Sequence, residues 1–205
     1  MSDELITKPP ETFDNRLFVM ILQHPREQKE PLATAALLVS MLRRAELVVG
    51  LSWPNLGRLV GGRADPRRWA VLYLGSARPG TFGGAEVVAL DRRGEPEADQ
   101  RAALAGLDGV VLLDGSWSEA KALWWRNPWL LKLRRLVLSP RHRSRLGRVR
   151  REPRREALST LEAAGLLLRF LDNRPDIEAA LVAALDRLIA ETRRTGGRHA
   201  GASGP

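Results

Sequence analysis

The segment Val110-Val111-Leu112-Leu113-Asp114-Gly115-Ser116-Trp117 carries a carboxylate, a glycine, a hydroxyl and an indole from an apolar run into a single turn. An aspartate at the carboxyl end of a buried strand can act as a general base or accept a hydrogen bond from a substrate N–H. Gly115 lets another backbone or a ligand approach closely. The same residues also have a structural reading, with Asp114 forming the turn, Ser116 capping the following helix and Trp117 packing in the core. Residue type favours chemistry for Asp114 and the cap for Ser116, and leaves both readings open for Trp117. Asp114, Ser116 and Trp117 are therefore the candidate catalytic residues.

Other segments offer binding chemistry. His24-Pro25-Arg26-Glu27 follows the apolar run Leu17–Leu22, and Arg26 has the fork geometry to clamp a carboxylate or phosphate; a surface Arg–Glu pair is the equal alternative. Gly75-Ser76-Ala77-Arg78-Pro79-Gly80 is a glycine-bounded loop of the kind that contacts ligands through its backbone. Between Lys132 and Glu156 stand eleven basic residues against Glu152 and Glu156, so this segment holds the whole net charge of +9. So dense a block of one sign is suited to a polyanion, with Arg141, Arg143, Arg145, Arg148 and Arg150 as candidate phosphate contacts. Trp124, Trp125 and Trp129 lie just before it. Helical spacing puts Trp124 in the core and leaves Trp125 and Trp129 as candidates for exposure, where an indole can stack on an unpaired base, with packing the favoured alternative for both. Ser159-Thr160-Leu161-Glu162 reads first as a capping box.

These residues need elements to position them. Leu17–Leu22, Glu46–Gly50, Ala70–Leu74, Glu86–Leu90, Val110–Leu113 and Leu136–Leu138 are short apolar runs of strand length. A helix is expected from Pro31 with Leu32, Ala35, Val39 and Leu42 on one face. A second follows the Ser116/Glu119 capping box and stops before Pro128, a third follows Ser159/Glu162 with Leu161, Ala164, Leu168 and Leu171 inward, and a fourth starts near Pro175 with Ile177, Leu181, Ala184, Leu185 and Leu188 inward. Buried strands alternating with helices predict an α/β fold, a largely parallel sheet with helices on both faces and ligands at the carboxyl ends of the strands. The chain divides into an N-terminal extension (1–16), one catalytic domain (17–192) and a tail (193–205) whose composition predicts disorder.

With 205 residues and 44% hydrophobic composition the chain can bury one sizeable core. It has no cysteine and only three scattered histidines, His24, His142 and His199, so neither a disulfide nor a structural metal is expected. No apolar run reaches the length of about eighteen residues needed to span a membrane, and no signal peptide is read, which predicts a soluble cytoplasmic protein.

Taken in order, ILQHPRE (Ile21–Glu27), PLATAALL (Pro31–Leu38), VLLDGSW (Val111–Trp117), EAKALWWRNPWL, LVLSP (Leu136–Pro140) and LSTLEA (Leu158–Ala163) resemble the DTW-domain family, named for a D-x-T-W signature. The likeness covers Leu17 to Leu171. It implies a tRNA-uridine aminocarboxypropyltransferase, similar to the ribosomal-RNA aminocarboxypropyltransferases and more distantly to the SPOUT methyltransferases. Through that resemblance a C-terminal trefoil knot is implied, together with S-adenosylmethionine as aminocarboxypropyl donor and tRNA as partner. Uridine N3 would attack the γ-carbon of the donor's methionine moiety, with Asp114 taking the N3 proton. Arg26, Gly75, Asp114, Ser139, Leu158 and Glu162 are the candidate donor contacts, and Trp125 joins the arginines as a candidate RNA contact. Two departures stand out: Ser116 replaces the signature threonine but keeps its hydroxyl, and the cysteine cluster of many members is absent. A methyltransferase using the same donor, or an RNA-binding module without chemistry, are the competing readings.

Overall fold

The computed structural model describes residues 12–29, 34–72, 82–142, 144–146 and 158–200. Six strands form one sheet: β1 (Phe18–Gln23), β2 (Ala45–Val49), β3 (Trp69–Leu72), β4 (Val87–Leu90), β5 (Gly109–Asp114) and β6 (Arg134–Leu138). Their order across the sheet is β2-β1-β5-β3-β6-β4, and every pair is parallel except β4 with β6 at one edge. The continuous apolar runs of β1 and β5 occupy central positions because both of their faces are covered. Edge strand β2 is only partly buried, which its sequence Ala-Glu-Leu-Val-Val accommodates.

Side chains alternate between the two faces of the sheet. On one face Val19, Ile21, Val110, Leu112, Leu136 and Leu138 pack with α1 (Thr34–Met41), α5 (Thr160–Leu171) and α6 (Pro175–Ala200). On the other, Met20, Leu22, Val71 and Val111 pack with α2 (Leu56–Leu59), α4 (Trp117–Arg126) and the 3-10 turn Pro128–Lys132. Gly109 allows this packing to close: a Cβ there would lie 2.6 Å from the Trp69 ring and 2.9 Å from the Phe18 carbonyl.

Two short helices, α2 and α3 (Gln100–Leu104), were not expected from periodicity, although Asn55 and Asp99 cap them by accepting from the N–H three residues on. α5 is buried nearly all round, since α6 covers the side that a surface helix would show to water. In α6, Ile189 rather than Leu188 continues the buried face of Ile177, Leu181, Ala184 and Leu185. The same helix runs on to Ala200, so the stretch after residue 193 read as disordered is helical over its first part. The expected C-terminal knot bears on a part of the chain in which residues 147–157 lie outside the described ones. Among the described residues no helix is long and apolar enough to cross a membrane.

Candidate active site

Parallel strands bring their carboxyl ends to one edge, and the register places Gln23 of β1 directly beside Asp114 of β5. β1 leads to β2 on one side, and β3 lies on the other side of β5, so this edge is also the point where the strand order reverses and a crevice is expected. Asp114 is buried. Gln23 Nε2 donates to its Oδ2 at 2.8 Å, and the Thr160 hydroxyl at the start of α5 donates to its Oδ1. The backbone closes the same corner, with His24 N–H donating to the Asp114 carbonyl at 2.9 Å. The carboxylate is thus fixed between β1 and α5, and a carboxylate oxygen can accept two donors. The arrangement can receive a proton from a substrate N–H without first moving.

Gly115 has φ +149°, and a Cβ there would meet Glu119 Cβ at 3.0 Å and His24 Cβ at 3.3 Å. Its missing side chain lets the turn bring Glu119 and His24 together. Ser116 is the N-cap of α4, and both its N–H (2.8 Å) and its hydroxyl (2.7 Å) donate to Glu119 Oε2. His24 Nδ1 accepts from the Arg26 N–H at 3.3 Å and lies 3.5 Å from Glu119 Oε1. Burial pushes the Glu119 carboxyl up, but the Ser116 bonds and the charges of His24 and Arg26 outweigh it and leave the group below its ordinary pKa. Arg26 is exposed, with no carboxylate in ion-pair reach among the described residues. Trp117 is 38% exposed and so is not a core residue.

Across the edge, the segment after β6 is tied down by two acids. Ser139 is buried, and its N–H donates to the Glu86 carbonyl at 2.8 Å. The buried Glu86 carboxylate takes Arg169 at 2.7 Å and Arg141 at 3.3 Å. Glu162 receives four donors, namely the Ser144 hydroxyl (2.7 Å), Arg145 N–H (2.8 Å), Ser159 N–H (2.9 Å) and the Ser159 hydroxyl (2.7 Å). These bonds hold the segment after β6 against the start of α5, next to Leu158. Arg145 is likewise engaged, bonding both oxygens of Asp186 at 2.9 and 2.6 Å. Trp125 is 72% exposed, whereas Trp129 follows the favoured packing alternative and is buried, with its Nε1 donating to the Trp53 carbonyl at 3.0 Å. Gly75, Arg143, Arg148 and Arg150 lie outside the described residues.

Asp114, Ser116, Trp117, Arg26 and the start of α5 therefore share one corner. Gln23, Thr160, Glu119 and Glu86 had no site role in the sequence reading; Thr160 and Glu119 stood inside motifs already fully explained as caps. Two hollows bounded by described residues, of about 540 and 490 Å³, lie elsewhere, one against Asn55–Pro66 and Trp129, the other beside Asp91, Asp99 and Arg134. No group of three or more potential metal ligands occurs among the described residues.

The chain matches the DTW domain over residues 4–193 and belongs to that family. It is 32% identical over 188 residues to tRNA-uridine aminocarboxypropyltransferase 2 of Drosophila melanogaster, covering 88% of this chain and 65% of that protein. It is 28% identical over 173 residues to tRNA-uridine aminocarboxypropyltransferase 2 of Macaca fascicularis, covering 83% of this chain and 53% of that one. The chain therefore spans between half and two thirds of these relatives. No solved structure gives a match.

Proposed function

We propose that this DTW-domain chain transfers a 3-amino-3-carboxypropyl group from S-adenosylmethionine to N3 of a uridine in tRNA and releases methylthioadenosine. The observation that carries the reading is the signature aspartate, Asp114, fixed by Gln23 and Thr160 at the strand-order reversal beside a half-open Trp117. The names of both relatives support the same activity. When bound, the donor supplies an electrophilic carbon attached to a sulfonium leaving group. The chemistry of the corner fits such a molecule: the Asp114 and Glu119 carboxylates suit its cationic sulfonium and ammonium, and Arg26, which has no carboxylate partner among the described residues, suits its carboxylate.

Neutral uridine holds its N3 proton too firmly to be a good nucleophile, so the protein must remove that proton and align the attack. Asp114 accepts the proton as the N3–carbon bond forms, and the electron pair of the breaking carbon–sulfur bond stays on sulfur. Glu119 orients His24 and Ser116 at the rim, and Trp117 offers a face to the uracil ring. Backbone groups around Gly75, Ser139 and Leu158 cradle the nucleoside, and Glu162 and Glu86 position that wall. The arginine block, Arg141 to Arg150, tracks tRNA phosphates; the exposed Arg145–Asp186 pair contributes little to stability and can be exchanged for a phosphate. A cytoplasmic location follows from that substrate.

Digesting tRNA to nucleosides after incubation with the donor tests the reading. The expected product is a uridine carrying the aminocarboxypropyl group on N3. A methylated nucleoside, or unmodified RNA, would overturn it.

A further inference from the structure

Helix α4 starts at the candidate site and then leads away from it. Its inward side is supplied by Ala120, Leu123 and Trp124, which complete the packing of that face of the sheet. Trp117, Lys121 and Trp125 are spaced by four residues, which places them along one stripe of the helix, and all three are exposed, Trp125 at 72%. A tryptophan so open to water contributes little to the fold, and large exposed apolar surface commonly marks a binding site. The stripe is also positively charged. Lys121 has no carboxylate partner among the described residues, while the one acid of the helix, Glu119, is turned to Ser116 and His24. At 1.5 Å of rise per residue, Trp125 lies about 12 Å along the axis from Trp117, a reach of two or three extended nucleotides.

We infer that this stripe is a stacking track for the unpaired nucleotides flanking the target uridine. The inference rests on the RNA-modifying reading and adds to it where and how the strand is held. Flat apolar faces alternating with a cation match bases joined by phosphates, because every base offers a π-face whatever its identity. An apolar protein partner would have no use for the intervening charge. Of the arginine block, Arg145 stands on the other side of the sheet, bonded to Asp186 of α6. The substrate would therefore straddle the edge, with paired stem phosphates on the arginine side and the splayed loop on α4.

Binding of a labelled oligouridylate and of a blunt RNA duplex of equal length, measured across salt concentrations on the full chain, tests this. Trp125→Ala should weaken oligouridylate binding about tenfold at an unchanged salt slope and leave duplex binding as it was. Trp125→Phe should restore most of the loss. Lys121→Gln should instead reduce the log–log salt slope by about 0.7. Wild-type failure to bind oligouridylate, equal binding by Trp125→Ala, or an equal loss on the duplex would each overturn the track. Product formation is read separately, so absence of the modified nucleoside would remove the transferase reading while leaving this binding result intact.

Discussion

Replacing Asp114 by asparagine keeps the size of the side chain but exchanges one acceptor oxygen for a donor. If Asp114 takes the N3 proton, Asp114→Asn should lower the single-turnover transfer rate at least about a hundredfold while tRNA affinity stays the same. Thr160→Val removes one of the carboxylate's partners with the acid intact, and should cost far less activity. Undiminished transfer in Asp114→Asn would take the residue out of the mechanism; equal losses in both variants would reduce it to a fastener. Glu119 gives a prediction in pH. A carboxyl whose folded pKa lies below its unfolded value stabilises the fold above the unfolded pKa, and that contribution is lost as pH falls through the folded one. Thermal melts of Glu119→Gln should therefore lie below wild type at neutral pH and converge with it on acidification; a constant gap would contradict the assigned interaction. Asp114 was legible in the sequence because four apolar residues deliver it to a turn. Gln23 and Thr160 were not, because they reach it from 91 and 46 residues away and only the sheet brings them together.

At the scale of elements, the capping boxes opening α4 and α5 were read correctly, and so were the stop before Pro128 and the start near Pro175. Local chemistry fixes such ends, so one sequence suffices to find them. The stop has a further cause that no local pattern carries: Asn127, wholly buried, donates to the Leu51 and Leu123 carbonyls and accepts from Trp53 N–H. Helices α2 and α3 escaped notice because four and five residues are too few for a period to show. Trp125 and Trp129 could not be told apart from sequence, because Trp129 lies beyond the helix in a 3-10 turn, where its burial depends on contacts with Trp53 from far along the chain. The Glu162 cluster yields a prediction at this scale. Glu162→Ala should remove the carboxylate half of the capping box of α5 and the anchor of Ser144 and Arg145, costing about 1–3 kcal/mol and lowering the melting temperature by several degrees. Hydrogen exchange should quicken at 144–146 and at the first turn of α5. Faster exchange at α5 alone would mean that the segment after β6 is held by something else.

For the whole molecule, alternating buried runs and helices announced a largely parallel sheet covered on both faces, but not its order. The position of β5 between β1 and β3 depends on pairings between strands far apart in the sequence, which single-chain periodicity cannot express. That order assembles the corner from β1, β5 and the start of α5. The concentration of net charge between Lys132 and Glu156 was plain from composition, whereas the pairing of Arg141 with Glu86 and of Arg145 with Asp186 was not. If this segment tracks phosphates, changing Arg143, Arg145, Arg148 and Arg150 to glutamine should weaken tRNA binding and flatten its salt dependence by about one log–log unit per lost contact, with donor affinity unchanged. A collapse of donor binding would reassign these arginines to the active site. The central claim, that the aminocarboxypropyl group and not the methyl group is transferred, is tested most directly by where label goes. Unmodified tRNA is incubated with the protein and S-adenosylmethionine labelled either in the carboxyl carbon or in the methyl carbon. The account predicts that carboxyl label enters the RNA and that methyl label stays in methylthioadenosine; methyl label in the RNA, with none from the carboxyl carbon, would contradict it.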